Sequence, residues 1–164
     1  MNSKKLLIVV NVDWFFISHR LCIAEKAQER GWEVFVACTD TGRSKEITNK
    51  GINFINLSFS RSSTSVLDEL NTLYSFYKLY KKIKPDIVHH ITLKPVIYGT
   101  FLAKILNIKG VVNAISGLGY VFTDNRKSLV QNIMLVLMRY SFNRNNVALI
   151  FQNLNDQKEL DSLR

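Results

Sequence analysis

Two spacings of apolar residues alternate along this chain from one end to the other. Leu6–Val10 is an unbroken apolar run, the mark of a strand covered on both faces. Over residues 18–30 the spacing turns helical: Leu21, Ala24 and Ala27 share one side, Ser18 stands at the N-cap, and Gly31 supplies the stop. Glu33–Ala37 predicts a second strand, residues 44–50 a short helix ended by Gly51, and residues 52–55 a third strand. A longer helix over residues 66–84 stops before Pro85, because the residue preceding a proline is pushed out of the helical region. Ile87–Ile91 reads as strand four. Pro95 opens a helix through Asn107, since its missing N–H costs nothing in a first turn. Val111–Ile115 is strand five, residues 127–142 an apolar helix, Val147–Phe151 strand six, and a last helix starts near residue 155. Strands separated by helices in this way imply right-handed crossovers. The expected fold class is α/β: a Rossmann-like three-layer αβα sandwich on a mostly parallel six-stranded sheet.

Composition narrows the picture to one domain with a real core. The chain has 164 residues, 47% of them hydrophobic, with two prolines and seven glycines, which excludes a disordered tail or a collagen-like repeat. Cys22 and Cys38 lack metal-ligand spacing and are expected to be small core residues in a reducing compartment. No apolar run approaches the ~18 residues that cross a bilayer. Lys4-Lys5 followed by Leu6–Val12 superficially resembles a signal peptide, but it has no small-residue cleavage site and meets Asp13 at once, so a cytoplasmic protein is expected. The sequence breaks off as a helix begins, which leads to the expectation of the first half of a longer protein.

Charge adds a partner class. The net charge is +9, and residues 78–144 hold eleven Lys or Arg against only Asp86 and Asp124, so the whole excess lies in the second half. Anionic lipid, phosphorylated small molecules and nucleic acid are the candidates. Nucleic acid is set aside because the aromatics are not interleaved with Lys and Arg on one sheet face, as stacking platforms require. The helix over 66–84 carries Leu70, Leu73, Tyr77 and Tyr80 along one stripe with Lys78, Lys81 and Lys82 beside it. The helix over 127–142 carries Ile133, Leu137 and Tyr140, with Arg126, Lys127, Arg139 and Arg144 around its ends. Such basic amphipathic helices are expected to lie against an anionic membrane; the alternative is that the stripes are ordinary core faces.

In an open parallel sheet, ligands bind beyond the carboxyl ends of the strands, where strand order reverses. That rule selects Asn11, Asp13, Ser18, His19 and Arg20 after strand one and His89, His90, Thr92 and Lys94 around the end of strand four. It adds Ser116, Gly117 and Gly119 after strand five and Gln152 and Asn153 after strand six. Asp13, His19, His90 and Lys94 are expected to converge on one cleft. Asp13 and Ser18 have a second reading as caps of the next helix. His89 and His90 point to opposite faces, so one is a core histidine and the other faces the cleft. No metal is expected, because adjacent strand residues cannot share an ion and no acid lies nearby in sequence. The turn after strand one, Asn11-Val12-Asp13-Trp14, has no glycine, and no phosphate-cradling GKS/T loop occurs; both facts argue against dinucleotide binding and nucleotide hydrolysis. Glu25 and Glu33 match the spacing of a sugar-donor Glu-x7-Glu pattern by accident, one being in mid-helix and the other opening a strand.

Four segments appear in order at strand ends: Asp13-Trp14-Phe15-Phe16-Ile17-Ser18-His19-Arg20; His90-Ile91-Thr92-Leu93-Lys94-Pro95 with Tyr98-Gly99; Ser116-Gly117-Leu118-Gly119-Tyr120-Val121-Phe122; and Ile150-Phe151-Gln152-Asn153 with Asp156. Together they resemble the N-terminal half of bacterial family-four glycosyltransferases of the GT-B architecture, closest to those building capsule, O-antigen and other surface glycans. The resemblance implies that residues 1–164 form the acceptor-binding Rossmann-like domain, with the donor-binding domain absent. It implies retaining, metal-independent transfer from a nucleotide sugar, expected to be UDP-linked and a co-substrate in place of any cofactor, to a lipid-linked glycan acceptor. In that frame Asp13, His19 and His90 are the catalytic candidates. Arg20, His89, Thr92, Lys94, Ser116, Gly117, Gly119 and Asn153 are the substrate-binding ones, with Arg20 and Lys94 offsetting phosphate charge. The protein is expected to sit peripherally at the inner face of the cell membrane and to be inactive as this half alone. The alternative is a non-catalytic acceptor-binding, membrane-docking subunit completed by a separate donor-binding chain.

Overall fold

The computed structural model describes residues 3–58, 66–115, 129–142, 146–153 and 157–158. Six strands form one parallel sheet: β1 (Lys5–Val12), β2 (Glu33–Thr39), β3 (Asn53–Asn56), β4 (Ile87–Ile91), β5 (Gly110–Ile115) and β6 (Val147–Phe151). Their spatial order is β3-β2-β1-β4-β5-β6, so the reversal lies between β1 and β4 as expected. The two faces of β1 feed two cores. Leu6, Ile8 and Val10 join Phe16 and Ala24 of α1 (Asp13–His19) and α2 (Leu21–Glu29), together with Ile47 of α3 (Ser44–Thr48). Leu7 and Val9 join Phe76, Leu79 and Tyr80 of α4 (Val66–Ile83) and Leu102 and Ala103 of α5 (Thr100–Ile105). A third cluster seats Met134 and Met138 of α6 (Leu129–Phe142) on Val96–Tyr98. The fold is thus a Rossmann-like αβα sandwich.

Four local expectations are corrected. The helix expected over 18–30 is two helices broken at Arg20 (φ −132°), and it starts at Asp13, whose carboxylate takes the Trp14 N–H. Ser18 is therefore no cap; its hydroxyl bonds back to the Trp14 and Phe15 carbonyls inside α1. The helix after Pro95 opens with a π-helical turn, Pro95–Gly99, before α5. Cys22 is exposed on α2, whereas Cys38 is in the core, where burial pushes its thiol up to about 12 and makes it unreactive. Gly31 does end α2, at φ +80°, with Trp32 N–H bonding to the Ala27 carbonyl.

Candidate functional site

The reversal between β1 and β4 carries an unusual backbone conformation. Thr92, the residue after β4, has φ +71°, a left-handed conformation that a β-branched residue adopts only under constraint. The constraint is visible: its hydroxyl donates to Asn11 Oδ1 of β1 at 2.6 Å, a bond spanning the reversal itself. This turns β4 abruptly into the π-helical segment, whose first residue, Pro95, has no N–H to place. Thr92 remains half-exposed, at the end of the sheet where the topology puts a ligand.

On the α1–α2 face, Asp13 is fully buried. Its carboxylate accepts from the backbone N–H groups of Trp14, Thr41 and Arg43 at 2.7, 2.7 and 2.9 Å, and from the Thr41 hydroxyl. Burial alone would raise its pKa, but the Thr41 hydroxyl and the three amides together outweigh it and hold the group at about 2. A carboxylate so occupied is neither at the rim nor a base, so its expected contact with the acceptor hydroxyl is replaced by a structural role. It ties the start of α1 to the loop after β2. Because the folded pKa lies below the ordinary value near 3.9, the stabilisation is complete above about pH 4 and disappears as pH falls through 2. Acid unfolding of the wild type should show a loss of about 2 kcal/mol over that window, and Asp13→Asn, less stable at neutral pH, should not show it. Equal slopes for the two proteins in urea titrations between pH 4 and 2 would contradict this.

His19 is the exposed member of the expected catalytic set. Its ring stacks on Phe15 with centroids 4.3 Å apart, and Nδ1 lies 2.6 Å from Ser18 Oγ. Arg20 is half-buried; its Nη1 donates to the His19 carbonyl at 3.0 Å, while its buried Nε meets no acceptor among the described residues. His89, on the same face, places Nδ1 3.1 Å from the Val112 carbonyl, and its buried Nε2 has no partner among the described residues. Burial lowers its pKa, and the nearby Arg20 charge adds to the effect.

His90 points to the other face and is the core histidine of the pair. It is fully buried, with Nδ1 2.8 Å from Asn113 Oδ1 and Nε2 2.6 Å from the Tyr80 hydroxyl. Asn113 Oδ1 can only accept, so Nδ1 carries the proton and Tyr80 donates to Nε2. Burial drives the His90 pKa down to about 3, which keeps the ring neutral. Both ring nitrogens are thus taken up inside the core, where His90 packs between Tyr80 and Asn113 rather than at the expected cleft. Lys94 is likewise buried, with Nζ 2.7 Å from Glu69 Oε1 on α4, so its charge is already neutralised and its expected phosphate contact is corrected to an internal ion pair. Asp13, His19 and His89 thus lie on one side of the sheet, and His90 and Lys94 on the other. Gln152 and Asn153 are exposed after β6. Ser116, Gly117, Gly119, Arg126, Lys127, Arg144 and Asp156 lie outside the described residues.

Glu69, Tyr80, Asn11 and Gly99 were not singled out as partners of the candidate residues from the sequence. Asn11 already stood among the residues after strand one, and Gly99 carried a signal as a glycine inside a helical, apolar stretch. Among the described residues no group of three or more His, Cys, Asp or Glu side chains could hold a metal ion.

The fold is shared with larger sugar-handling proteins. A glycosyltransferase from Rickettsia africae ESF-5 superposes with a TM-score of 0.57 at 14% identity, over 99% of this chain and 49% of that one. MurG of Acinetobacter baumannii gives 0.54 at 16% identity, over 74% and 38%. The UDP-GlcNAc 2-epimerase of Neisseria meningitidis, solved with UDP-GlcNAc bound, gives 0.55 at 15% identity, over 88% and 46%. At these identities the likeness is one of fold, and the chain spans less than half the length of each. No curated protein matches it in sequence. Residues 5–153, which span all six strands, match the glycosyl transferase 4-like family, and the chain belongs to that family.

Proposed function

We propose that this chain is the acceptor-side, N-terminal half of a retaining glycosyltransferase. In this reading the enzyme moves a sugar from a nucleotide-linked donor, UDP-linked by expectation, to a lipid-linked glycan acceptor of surface-polysaccharide synthesis at the inner membrane surface. The donor is held by a second domain that these residues do not include. His19 is the residue placed to touch the acceptor's reacting hydroxyl, being exposed and fixed in orientation by Phe15 and Ser18. Thr92, Arg20, His89 and Asn153 border the acceptor in this reading, which also assigns it Ser116, Gly117 and Gly119, the residues that follow β5 in sequence. In this reading the transfer uses neither a metal nor a redox cofactor.

The observation that carries the lipid-linked part is the outward face of α4. The sequence stripe divides there: Tyr80 is buried and Leu73 half-buried, while Leu67, Leu70, Tyr74 and Tyr77 are exposed. Lys78, Lys81 and Lys82 are exposed toward the C-terminal end of the same helix and Lys84 just beyond it, and Lys78 and Lys81 lie 4.4 and 5.8 Å over the Tyr74 and Tyr77 rings. An apolar, aromatic patch continuous with lysines fits the headgroup boundary of an anionic bilayer. No helix among the described residues is long and apolar enough to cross a membrane, so docking on its surface is the mode proposed.

Flotation tests this. The protein should rise with vesicles of phosphatidylcholine and phosphatidylglycerol, and much less with phosphatidylcholine alone. Replacing Lys78, Lys81 and Lys82 by Gln should weaken retention about a hundredfold, at about 1 kcal/mol per lysine. Equal retention on both vesicle types, or by the triple variant, would remove the membrane from the proposal.

A further inference from the structure

An open groove of about 430 Å³ runs along α2, with Leu6, Ile23, Ala27, Trp32 and Ile87 as its apolar walls. Leu6 and Ile87 are register partners at the starts of β1 and β4, and Trp32 immediately precedes β2. The groove therefore lies at the amino ends of the strands, the opposite end of the sheet from Thr92 and the start of α1. It also lies on the α2 face, whereas α4 packs on the other, so it is no continuation of the exposed α4 patch. Ile23 is 40% exposed and Trp32 half-buried, so these walls present apolar surface to water.

Size and charge narrow the occupant. Small-molecule sites hold about 300–1,000 Å³, a range that includes this groove. A stable protein partner would need about 800 Å² from each side, a footprint that a groove beside a nine-residue helix does not reach. Two cations complete the lining, Lys26 and Arg30, and no acidic side chain lies among the described residues that form it. Lys26 is paired with Glu29, but the Arg30 guanidinium meets no carboxylate among the described residues. One positive charge is thus left unmatched beside an apolar trough. A neutral apolar ligand would leave it so, and a cation would be repelled. A dianion such as an alkyl phosphate would bring one charge more than the wall offsets. A monoanion with an apolar tail answers both features, and a planar carboxylate fits the guanidinium fork.

We propose that the groove along α2 is a binding site for an alkyl carboxylate of the fatty-acid class, its chain lying against Ile23, Ala27 and Trp32 and its carboxylate on Arg30. The chain supplies most of the affinity through apolar burial. Arg30 supplies the preference for a charged head, a modest one because its guanidinium is solvent-exposed. The site is independent of the transferase reading, since none of its residues belongs to the acceptor set.

The chain has two tryptophans, Trp14 and Trp32, so Trp14→Phe leaves a single emitter, and that one lines the groove. In that protein octanoate, kept below its micelle concentration, should shift Trp32 emission to the blue saturably. Octan-1-ol, with the same chain and no charge, should bind about fivefold more weakly. Arg30→Gln, at an exposed position, should bring octanoate down to the affinity of the alcohol and leave the alcohol unchanged. Ile23→Ser should weaken both ligands alike. Octan-1-ol binding as tightly as octanoate, octyl phosphate binding more tightly than octanoate, wild-type octanoate affinity in Arg30→Gln, or no saturable shift with octanoate would each overturn the proposal.

Discussion

Gly99→Ala is expected to lower stability by about 4 kcal/mol, although alanine is the better helix former and the backbone there is ordinary. Gly99 has φ −64°, so no conformational freedom is at issue. A methyl group at this position would stand 2.4 Å from His90 Nε2, 2.6 Å from His90 Cδ2 and 2.8 Å from the Tyr80 hydroxyl. None of these atoms is at the end of a flexible chain in open space. His90 and Tyr80 are fully buried and bonded to each other, and Asn113 holds the far side of the imidazole. Overpacking costs about 1–3 kcal/mol in such a core, and breaking the Tyr80–His90 bond without replacement adds about 1–3 more. Thermal unfolding should fall by roughly 10 °C for a chain of this size. Removing the imidazole as well, in Gly99→Ala/His90→Ala, should lose less than the sum of the single changes, because the second deletion clears the first clash. Strict additivity, or a Gly99→Ala protein as stable as the wild type, would contradict the close approach of the π-helical segment to β4.

The second large effect lies at Lys94. Its ammonium and the Glu69 carboxylate, each side chain about 9% exposed, form a pair between the segment after β4 and the first turns of α4. Lys94→Met leaves a buried carboxylate without its counter-charge, the neighbouring Tyr98 hydroxyl being the one polar group still beside it among the described residues. Breaking one member of such a pair costs about 3–5 kcal/mol, while replacing both by apolar groups of similar volume is close to neutral. Lys94→Met should thus unfold at much lower urea, and Lys94→Met/Glu69→Met should recover most of the loss. A mild effect of the single change would mean that the pair is solvated.

The fold was legible because buried parallel strands write themselves as continuous apolar runs, and Gly31, Gly51, Pro85 and Pro95 punctuate them. The break at Arg20 left no trace, since Leu21, Ala24 and Ala27 keep a helical spacing on either reading. The π-helical turn was equally silent: a wider hydrogen-bond ring does not change which residues are apolar. Of the site, the sequence supplied the residues at the strand ends and the opposition of His89 and His90, which follows from pleating. It did not supply their partners. Asp13 is bound by amides of residues 41 and 43, and Lys94 by a carboxylate on the preceding helix. Such pairings are set by packing across layers, which no local spacing records, and they turn polar residues that look catalytic into internal fasteners.

The acceptor-side assignment is tested most directly by thermal unfolding of the protein with each half of the proposed reaction in turn. A polyprenyl-diphosphate sugar in detergent micelles, at about a hundred times its dissociation constant, should stabilise the fold by about 2.7 kcal/mol, or roughly 5–10 °C. UDP-GlcNAc at the same concentration should leave the transition where it was, because the proposal gives these residues no donor site. Stabilisation by UDP-GlcNAc and none by the lipid-linked sugar would place the donor on these residues and contradict the account.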